Sequence, residues 1–237
     1  MSMNKMGKII IITGTRKGLG LDLANYFLDQ GDIVYGCSRR KSNLQHINYT
    51  HYELNVSNEK EVVSMVRAVY KKHKFIDILI NNAGAASMNH FLLTPCATVE
   101  KLFAVNYLGT FLMCREVGKI MIRQNYGRII NYTTIAVPLN LEGELVYSST
   151  KAAVEQLTRV LASEIGQSGV TVNAIGPTPI LTDLIKNVPP VKIEELIKRQ
   201  SIKRLGEFED VLNVVKFFIA PESDFITGQV VYLGGVS

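Results

Sequence analysis

The chain has 237 residues, 47% of them hydrophobic, which suits one α/β domain and argues against intrinsic disorder. Its longest uninterrupted aliphatic run, residues 9–12, is far too short to cross a bilayer. The net charge of +5 permits nucleic-acid binding, but part of the excess lies at residues 16–17 and 39–41, where a phosphate-rich small molecule explains it better.

Predicted strands and helices alternate along the whole chain. Apolar runs predict strands over 8–13, 32–37, 47–54, 75–81, 127–133, 170–175 and 229–233. Helical spacing predicts helices over 18–30, from a Ser57 cap to about Lys74, and over 99–124, 147–165 and 207–218. Strands that are apolar throughout and alternate with helices predict a parallel sheet covered on both faces. We therefore expect one α/β domain over residues 1–237.

A glycine-rich turn follows the first predicted strand. Gly14, Gly18 and Gly20 have the spacing Gly-x-x-x-Gly-x-Gly and lead directly into the first predicted helix. The first glycine permits a tight turn, the second lets backbone N–H groups approach a pyrophosphate, and the third lets the helix pack against the strand. An isolated glycine pattern can mark a turn without a ligand, but the flanking strand and helix favour dinucleotide binding.

The end of the second predicted strand favours NADP(H) over NAD(H). An acidic residue there would hydrogen-bond the ribose 2′-hydroxyl of NAD, but this chain continues from Cys37 into Ser38 and Arg39. Ser38, Arg39 and Lys17 would bind a 2′-phosphate, which arginine can contact with two hydrogen bonds. The alternative is a solvated basic turn without a ligand.

A tyrosine and a lysine four residues apart form the candidate catalytic pair. Tyr147 and Lys151 share one face of a predicted helix. An ammonium beside a phenol is expected to lower the phenol pKa from about 10 and make it a usable proton donor. The same pattern occurs at Tyr70 and Lys74, where a run of lysines at a helix end indicates a solvated surface. Position along the chain and the neighbouring motifs must therefore decide between the two pairs.

These motifs, in this order, resemble the short-chain dehydrogenase/reductase family in its shorter branch, over essentially the whole chain. The further matching segments are Asn81-Asn82-Ala83-Gly84, Asn106 in Asn-Tyr-Leu-Gly, Thr134 in place of the family's serine, Pro177 and Thr182. The overall similarity is greatest to 3-oxoacyl-[acyl-carrier-protein] reductases. The resemblance implies a Rossmann-type, doubly wound, seven-stranded parallel sheet.

The resemblance implies reversible reduction of a carbonyl to a secondary alcohol. Tyr147 would exchange a proton with the substrate oxygen, Lys151 would lower its pKa and hold the nicotinamide ribose, and Thr134 would hydrogen-bond that oxygen. Asn106 would hold a water that relays protons to Lys151. The residues expected at the cofactor are Gly14, Arg16, Lys17, Gly18, Leu19, Gly20, Ser38, Arg39, Asn55, Asn82, Ala83, Gly84, Tyr147, Lys151, Pro177 and Thr182. No metal is expected.

Three positions depart from the family pattern. Thr134 keeps a hydroxyl but adds a methyl group, and Asn55 stands where an aspartate commonly contacts adenine. Thr178 replaces the glycine that usually follows Pro177. These departures keep an alternative open, in which the chain is a non-catalytic NADP(H)-binding sensor or interaction protein.

Two substrate classes stay open. The segment between Thr134 and Tyr147 carries Glu142 and Glu144, which would suit a polar, sugar-like substrate unless they face solvent. The general similarity favours a 3-oxoacyl thioester, although Asn125 and Ser168, at the positions matched to carrier-binding basic residues, are uncharged. The resemblance also implies a substrate lid around 179–200.

The expected partners are a small-molecule substrate and further copies of the chain. The family forms dimers and tetramers through helices that correspond to 99–124 and 147–165, so a homodimer or homotetramer is expected. Neither a nucleic acid nor a membrane is expected. Three cysteines, far apart and odd in number, suit a reducing cytoplasm.

Overall fold

The computed structural model of the chain describes residues 7–180 and 190–236. Within these residues seven parallel strands form one sheet in the order β3-β2-β1-β4-β5-β6-β7. The strands are β1 Ile9–Thr13, β2 Ile33–Ser38, β3 Tyr49–Glu53, β4 Ile78–Asn81, β5 Gly127–Tyr132, β6 Val170–Gly176 and β7 Val230–Tyr232. The predicted seven-stranded, doubly wound parallel sheet is confirmed.

The helices of the described residues cover both faces of this sheet. They are α1 Leu19–Asp29, α2 Glu59–His73, α3 Cys96–Leu102, α4 Gly109–Gln124, α5 Ala136–Leu139, α6 Leu145–Ile165, α7 Pro190–Arg199 and α8 Phe208–Ile219. None of them is long and apolar enough to cross a bilayer.

Strand β1 shows why the sheet has two cores. Ile10 and Ile12 are fully buried and pack in the cluster formed with α1 and α8. Ile9 and Ile11 point to the other face and pack in the cluster formed with α2 and α4. Because side chains alternate along a strand, a run of four isoleucines fills both layers at once. Each buried isoleucine contributes about 2 kcal/mol of hydrophobic stabilisation.

The structure corrects two of the predicted helix boundaries. Helix α2 is capped by Asn58 rather than by Ser57, because the Asn58 side chain accepts hydrogen bonds from the backbone N–H groups of Lys60 and Glu61. The helix predicted to begin at Val99 begins at Cys96 instead and is interrupted by a π-helical turn, Phe103–Leu108, before α4.

The order of the strands places a crevice above the middle of the sheet. The chain runs outward from β1 through β2 to β3, then returns to build β4 on the opposite side of β1. The loops at the carboxyl ends of β1 and β4 therefore diverge, and ligands of doubly wound sheets bind at this switch point. A cavity of about 1150 Å³ occupies this position.

Candidate active site

The glycine turn forms the floor of one half of this cavity. Gly14 has a φ of 79° and Gly18 a φ of 60°, conformations that favour glycine. A Cβ on Gly20 would lie 2.4 Å from the carbonyl oxygen of Gly14, so α1 could not start as close to β1. Asn82 fixes the turn from the next strand, because its Nδ2 donates to the carbonyl oxygen of Thr13 at 2.9 Å. The turn thus presents backbone N–H groups at the start of α1, as pyrophosphate binding requires.

Most of the predicted cofactor residues meet at this cavity. Those that line it are Gly14, Arg16, Lys17, Gly18, Leu19, Ser38, Arg39, Asn55, Asn82, Ala83, Gly84, Tyr147, Lys151 and Pro177. Gly20 lies directly behind the turn, and Thr182 lies outside the described residues. The cavity volume and the open glycine cradle fit a dinucleotide.

Asn55 is placed differently from its expected role. Its side-chain oxygen accepts hydrogen bonds from the backbone N–H of Ser57 at 3.2 Å and from the Ser57 hydroxyl at 2.9 Å. The acceptor that would have read an adenine amino group is therefore already engaged in a local turn. Asn55 still borders the cavity, and what it contributes there is the shape of the wall.

The candidate catalytic groups converge at the other end of the cavity. Tyr147 lies in the first turn of α6, and Thr134 lies two residues beyond the end of β5, where its hydroxyl acts on the Tyr147 phenol as a hydrogen-bonding group. Lys151 lies one turn further along α6, with Nζ 6.0 Å from the centroid of the Tyr147 ring. Its ammonium donates a hydrogen bond of 2.8 Å to the carbonyl oxygen of Tyr132, the last residue of β5. This hydrogen bond to the end of β5 orients the Lys151 side chain along the cavity wall.

The electrostatics of the pair differ from the sequence-based expectation. Burial raises the pKa of Tyr147 well above its usual range, the carboxylate of Glu144 raises it further, and the hydrogen bond from Thr134 lowers it only in part. Burial also lowers the pKa of Lys151 to about 8. The expected lowering of the Tyr147 pKa by Lys151 is therefore wrong, because the cost of desolvating the phenolate dominates.

Asn106 sits in the π-helical turn and holds two parts of the site together. It is completely buried. Its side chain pairs with the backbone of Ala85, accepting from the N–H at 2.8 Å and donating to the carbonyl at 2.9 Å. The same Nδ2 donates to Thr150 Oγ1 at 2.9 Å, and Thr150 in turn donates to the Tyr147 carbonyl oxygen at 2.7 Å. Extra turns of this kind are frequent at functional sites because they redirect one side chain.

A second amide network stabilises the sheet beneath these groups. Asn81 Nδ2 donates to Asn131 Oδ1 at 2.9 Å, and Asn131 Nδ2 donates to Thr158 Oγ1 at 2.9 Å. All three residues are buried. The network joins β4, β5 and α6, so the strand ends that carry the site cannot shift independently.

Charged side chains that sequence reasoning did not place together line the substrate end. Glu144 precedes α6 and is partly buried, and Lys192 of α7 exerts an opposing electrostatic influence on its carboxyl group. Burial nevertheless raises the pKa of Glu144. Glu195 and Arg199, also on α7, line the same wall. Nothing in the sequence around the prolines at 177–190 indicated which face of α7 would point inward.

The described residues contain no cluster of three or more histidine, cysteine, aspartate or glutamate side chains that could hold a metal ion. The chemistry available at the site therefore consists of a phenol, a buried lysine, a threonine hydroxyl and a cavity able to hold a dinucleotide. Such a set can transfer a proton to or from an oxygen while a bound carrier exchanges a hydride.

Comparison with known proteins supports this description. A sequence model of the protein family described as enoyl-(acyl carrier protein) reductase matches residues 14–236. The 3-oxoacyl-[acyl-carrier-protein] reductase of Buchnera aphidicola is 30% identical over 96% of each chain. The structure of Thermoplasma acidophilum aldohexose dehydrogenase superposes with a TM-score of 0.87 at 26% identity, covering 97% of this chain and 93% of that one. The structure of ElxO with NADP bound gives a TM-score of 0.88 at 29% identity, covering 96% and 97%.

Proposed function

The chain belongs to the short-chain dehydrogenase/reductase family and is an oxidoreductase that acts on CH–OH and C=O groups; we propose that it uses NADP(H), with Tyr147 as its proton donor and acceptor. The observation that carries this proposal is the convergence of Tyr147, Lys151 and Thr134 at one end of a cavity whose other end is the glycine turn.

Each residue of the site has a separate task in carbonyl reduction. NADPH, when held by the glycine turn, would supply the hydride for the carbonyl carbon. Tyr147 donates its phenolic proton to the carbonyl oxygen as that oxygen gains negative charge. Thr134 donates a hydrogen bond to the same oxygen and holds it near the phenol. Oxidation of the alcohol runs through the same groups in reverse.

We propose that Lys151 and Asn106 assist the Tyr147 phenol without contacting the substrate oxygen. We propose that the Lys151 ammonium, which donates a hydrogen bond to the Tyr132 carbonyl oxygen, binds the nicotinamide ribose and restores a proton to Tyr147. Asn106 fixes the turn of α6 that carries Tyr147 through Thr150. We propose that water beside Asn106 completes the proton path to solvent.

The cofactor preference rests on charge at the end of β2. The segment that follows Cys37 consists of Ser38, Arg39 and Arg40, all bordering the cavity, with no carboxylate among them. A ribose 2′-phosphate would gain charge-assisted hydrogen bonds there, whereas a 2′-hydroxyl would gain little.

Arg39→Ala should weaken NADPH binding by about tenfold or more and NADH binding hardly at all. Equal weakening of both cofactors would contradict the assignment.

The substrate is proposed to be either a polar, sugar-like carbonyl compound or a 3-oxoacyl thioester. Glu144, Lys192 and Arg199 at the substrate end favour a molecule with several hydroxyl groups. The similarity to the Buchnera aphidicola reductase favours a thioester. We propose that α7 acts as a substrate lid, since three of its charged side chains border the cavity.

The decisive experiment compares Tyr147→Phe with the wild type. Consumption of NADPH is followed spectroscopically over a panel of ketoses, simple ketones and 3-oxoacyl thioesters. Removal of the phenol should lower the rate on the accepted substrate by about 10²- to 10⁴-fold. Tyr70→Phe is the matched control, because it alters the other Tyr-x-x-x-Lys pair, and it should keep full activity.

The same experiment tests the alternative hypothesis, that the protein is a non-catalytic NADP(H)-binding sensor. A non-catalytic sensor would bind NADPH with ordinary affinity and turn over none of the panel in wild-type form. Substrate turnover that persists in Tyr147→Phe would instead show that another group supplies the proton.

We further propose that the protein assembles as a homodimer or homotetramer in the cytoplasm. Phe103, Leu108, Phe111 and Leu145 are each more than a third exposed, around the start of α4 and α6, and would be covered in such an assembly. Cys37 and Cys114 are buried free thiols, which suits a reducing compartment.

A further inference from the structure

Four polar side chains form a continuous hydrogen-bonded chain behind the end of β2; we call it the His51 chain. Thr15 Oγ1 lies 2.8 Å from the Tyr49 hydroxyl, which lies 2.8 Å from His51 Nδ1. On the other side of the ring, His51 Nε2 lies 3.0 Å from Ser38 Oγ and 3.1 Å from the Arg40 carbonyl oxygen. The His51 chain thus connects the turn after β1, through two residues of β3, to the end of β2.

The fold makes room for this chain at one glycine. Gly36 lies in β2 directly opposite His51 in the parallel register. A Cβ on Gly36 would come within 2.2 Å of Thr15 Oγ1 and 2.3 Å of the Tyr49 hydroxyl oxygen. Any other residue would push these two hydroxyls apart. The His51 chain therefore depends on a glycine at this position of β2 and is part of the packing of the sheet.

The contacts determine which group donates and which accepts in each hydrogen bond of the His51 chain. Ser38 Oγ donates to the Arg40 carbonyl at 2.6 Å, so its only proton is committed. His51 Nε2 must then be the donor toward Ser38, and Nδ1 must accept from Tyr49. Protonation of the ring would occur at Nδ1, on the side facing Tyr49. The hydrogen bond from Nε2 to Ser38 would be kept, now with a positive charge behind it.

We propose that His51 is a positioning residue for the ribose 2′-phosphate of the cofactor, and that it takes up a proton when that phosphate binds. This inference rests on the proposed use of NADP(H) and deepens it. Ser38 and Arg40 border the cavity, and His51 supports both of them from the β3 side. To bind the phosphate, the Ser38 hydroxyl would turn its proton from the Arg40 carbonyl to a phosphate oxygen while still accepting from His51 Nε2. A dianion at that position would favour the imidazolium form of His51.

The surroundings of His51 determine the direction of the pH dependence. The groups that face it are Tyr49 and Glu53 on β3, Ser38 and the Arg40 carbonyl from β2, and Thr15 from the turn after β1. Burial lowers the pKa of His51 below 6.5, and the Arg40 carbonyl and the Glu53 carboxylate offset this only in part. Burial at this position therefore favours the neutral ring.

A bound phosphate would raise the pKa of His51, so the affinity for NADPH should increase as the pH falls from about 8 to about 6. A rise of about one pKa unit corresponds to about a tenfold change in the dissociation constant. NADH carries no 2′-phosphate, and its affinity should not follow this profile. Protonation of the phosphate itself opposes the effect near pH 6, but it does so equally in any variant.

The test is isothermal titration calorimetry of NADPH and NADH at pH 6.5, in buffers that differ in ionisation enthalpy. Wild-type protein should take up part of a proton with NADPH and none with NADH. His51→Gln, which can hydrogen-bond but cannot titrate, should lose that uptake and, at pH 6.5, bind NADPH about threefold more weakly, since the full tenfold is reached only at lower pH. Its unchanged affinity for NADH is the control for a correctly folded site.

Two results would overturn the inference. One is the same proton uptake with NADPH in wild type and in His51→Gln. The other comes from a measurement that needs no variant: NMR titration of the chain's four histidines in the presence of NADPH and of NADH, with an identical His51 titration in both. A wild-type protein that binds NADH as tightly as NADPH would instead remove the proposed cofactor preference itself.

Discussion

Replacement of Lys151 by methionine should reveal how strongly the site desolvates its lysine. Lys151 is only 5% exposed, and burial lowers its pKa from 10.5 to about 8. Between these two values the unfolded chain holds a proton that the folded protein has released. Unfolding therefore binds a proton in this window, and the free energy of unfolding of the wild type rises with pH there.

The magnitude follows from the width of the window. A pKa difference of about 2.5 units at about 1.36 kcal/mol per unit gives about 3 kcal/mol. The wild type should gain up to this amount of stability relative to Lys151→Met between pH 8 and pH 10.5. Below pH 8 the difference between the two proteins should be constant, because Lys151 is then protonated in both the folded and the unfolded state.

The assay is urea unfolding followed by far-ultraviolet circular dichroism from pH 7 to pH 10.5. Taking the difference between wild type and variant removes the titration of every other group. Lys71→Met, at an exposed lysine on α2, is the matched control and should give a flat difference. A flat difference for Lys151→Met as well would refute the reasoning, since the buried ammonium would then carry no desolvation cost.

Two further substitutions probe the surroundings of the pair. Glu144→Gln removes the charge that raises the Tyr147 pKa, so the alkaline rise in alcohol oxidation should move to lower pH; an unmoved profile of rate against pH would contradict that influence. Asn131→Ala removes one hydrogen bond from Asn81 and one from Thr158, which keep, among the described residues, only Cys114 Sγ and the Val154 carbonyl oxygen as partners. Together with the cavity it leaves, it should lower the free energy of unfolding by about 2–4 kcal/mol, measured by urea denaturation. A loss below about 0.5 kcal/mol would mean that water replaces the amide.

Local sequence was sufficient where a property depends on neighbours along the chain. The isoleucine run of β1 and the glycines after it predict a buried strand, a turn and a helix, because each is decided by near residues. The position of Tyr147 after the fifth strand likewise placed it near Lys151 and the cavity. These features follow from periodicity and from backbone conformations that only a few residue types adopt.

Sequence was insufficient where a property depends on distant contacts. The π-helical turn exists because Asn106 pairs with the Ala85 backbone and with Thr150, neither of which is near it in sequence. The protonation of Tyr147 depends on how far the fold removes it from water, which a spacing of four residues does not encode. The same is true of Lys151, whose hydrogen-bond partner lies on another element, β5.

Burial keeps Tyr147 protonated, which has a consequence for the direction of the reaction. A phenol that holds its proton is ready to donate to a substrate oxygen that becomes negative, so reduction can start from the resting protein. Oxidation needs the phenolate, which burial and Glu144 both disfavour. A further positive charge close to the phenol would favour the phenolate, and an oxidised nicotinamide ring would bring one. We therefore expect the Tyr147 pKa, measured from the dependence of the rate on pH, to be lower with NADP⁺ bound than with NADPH bound.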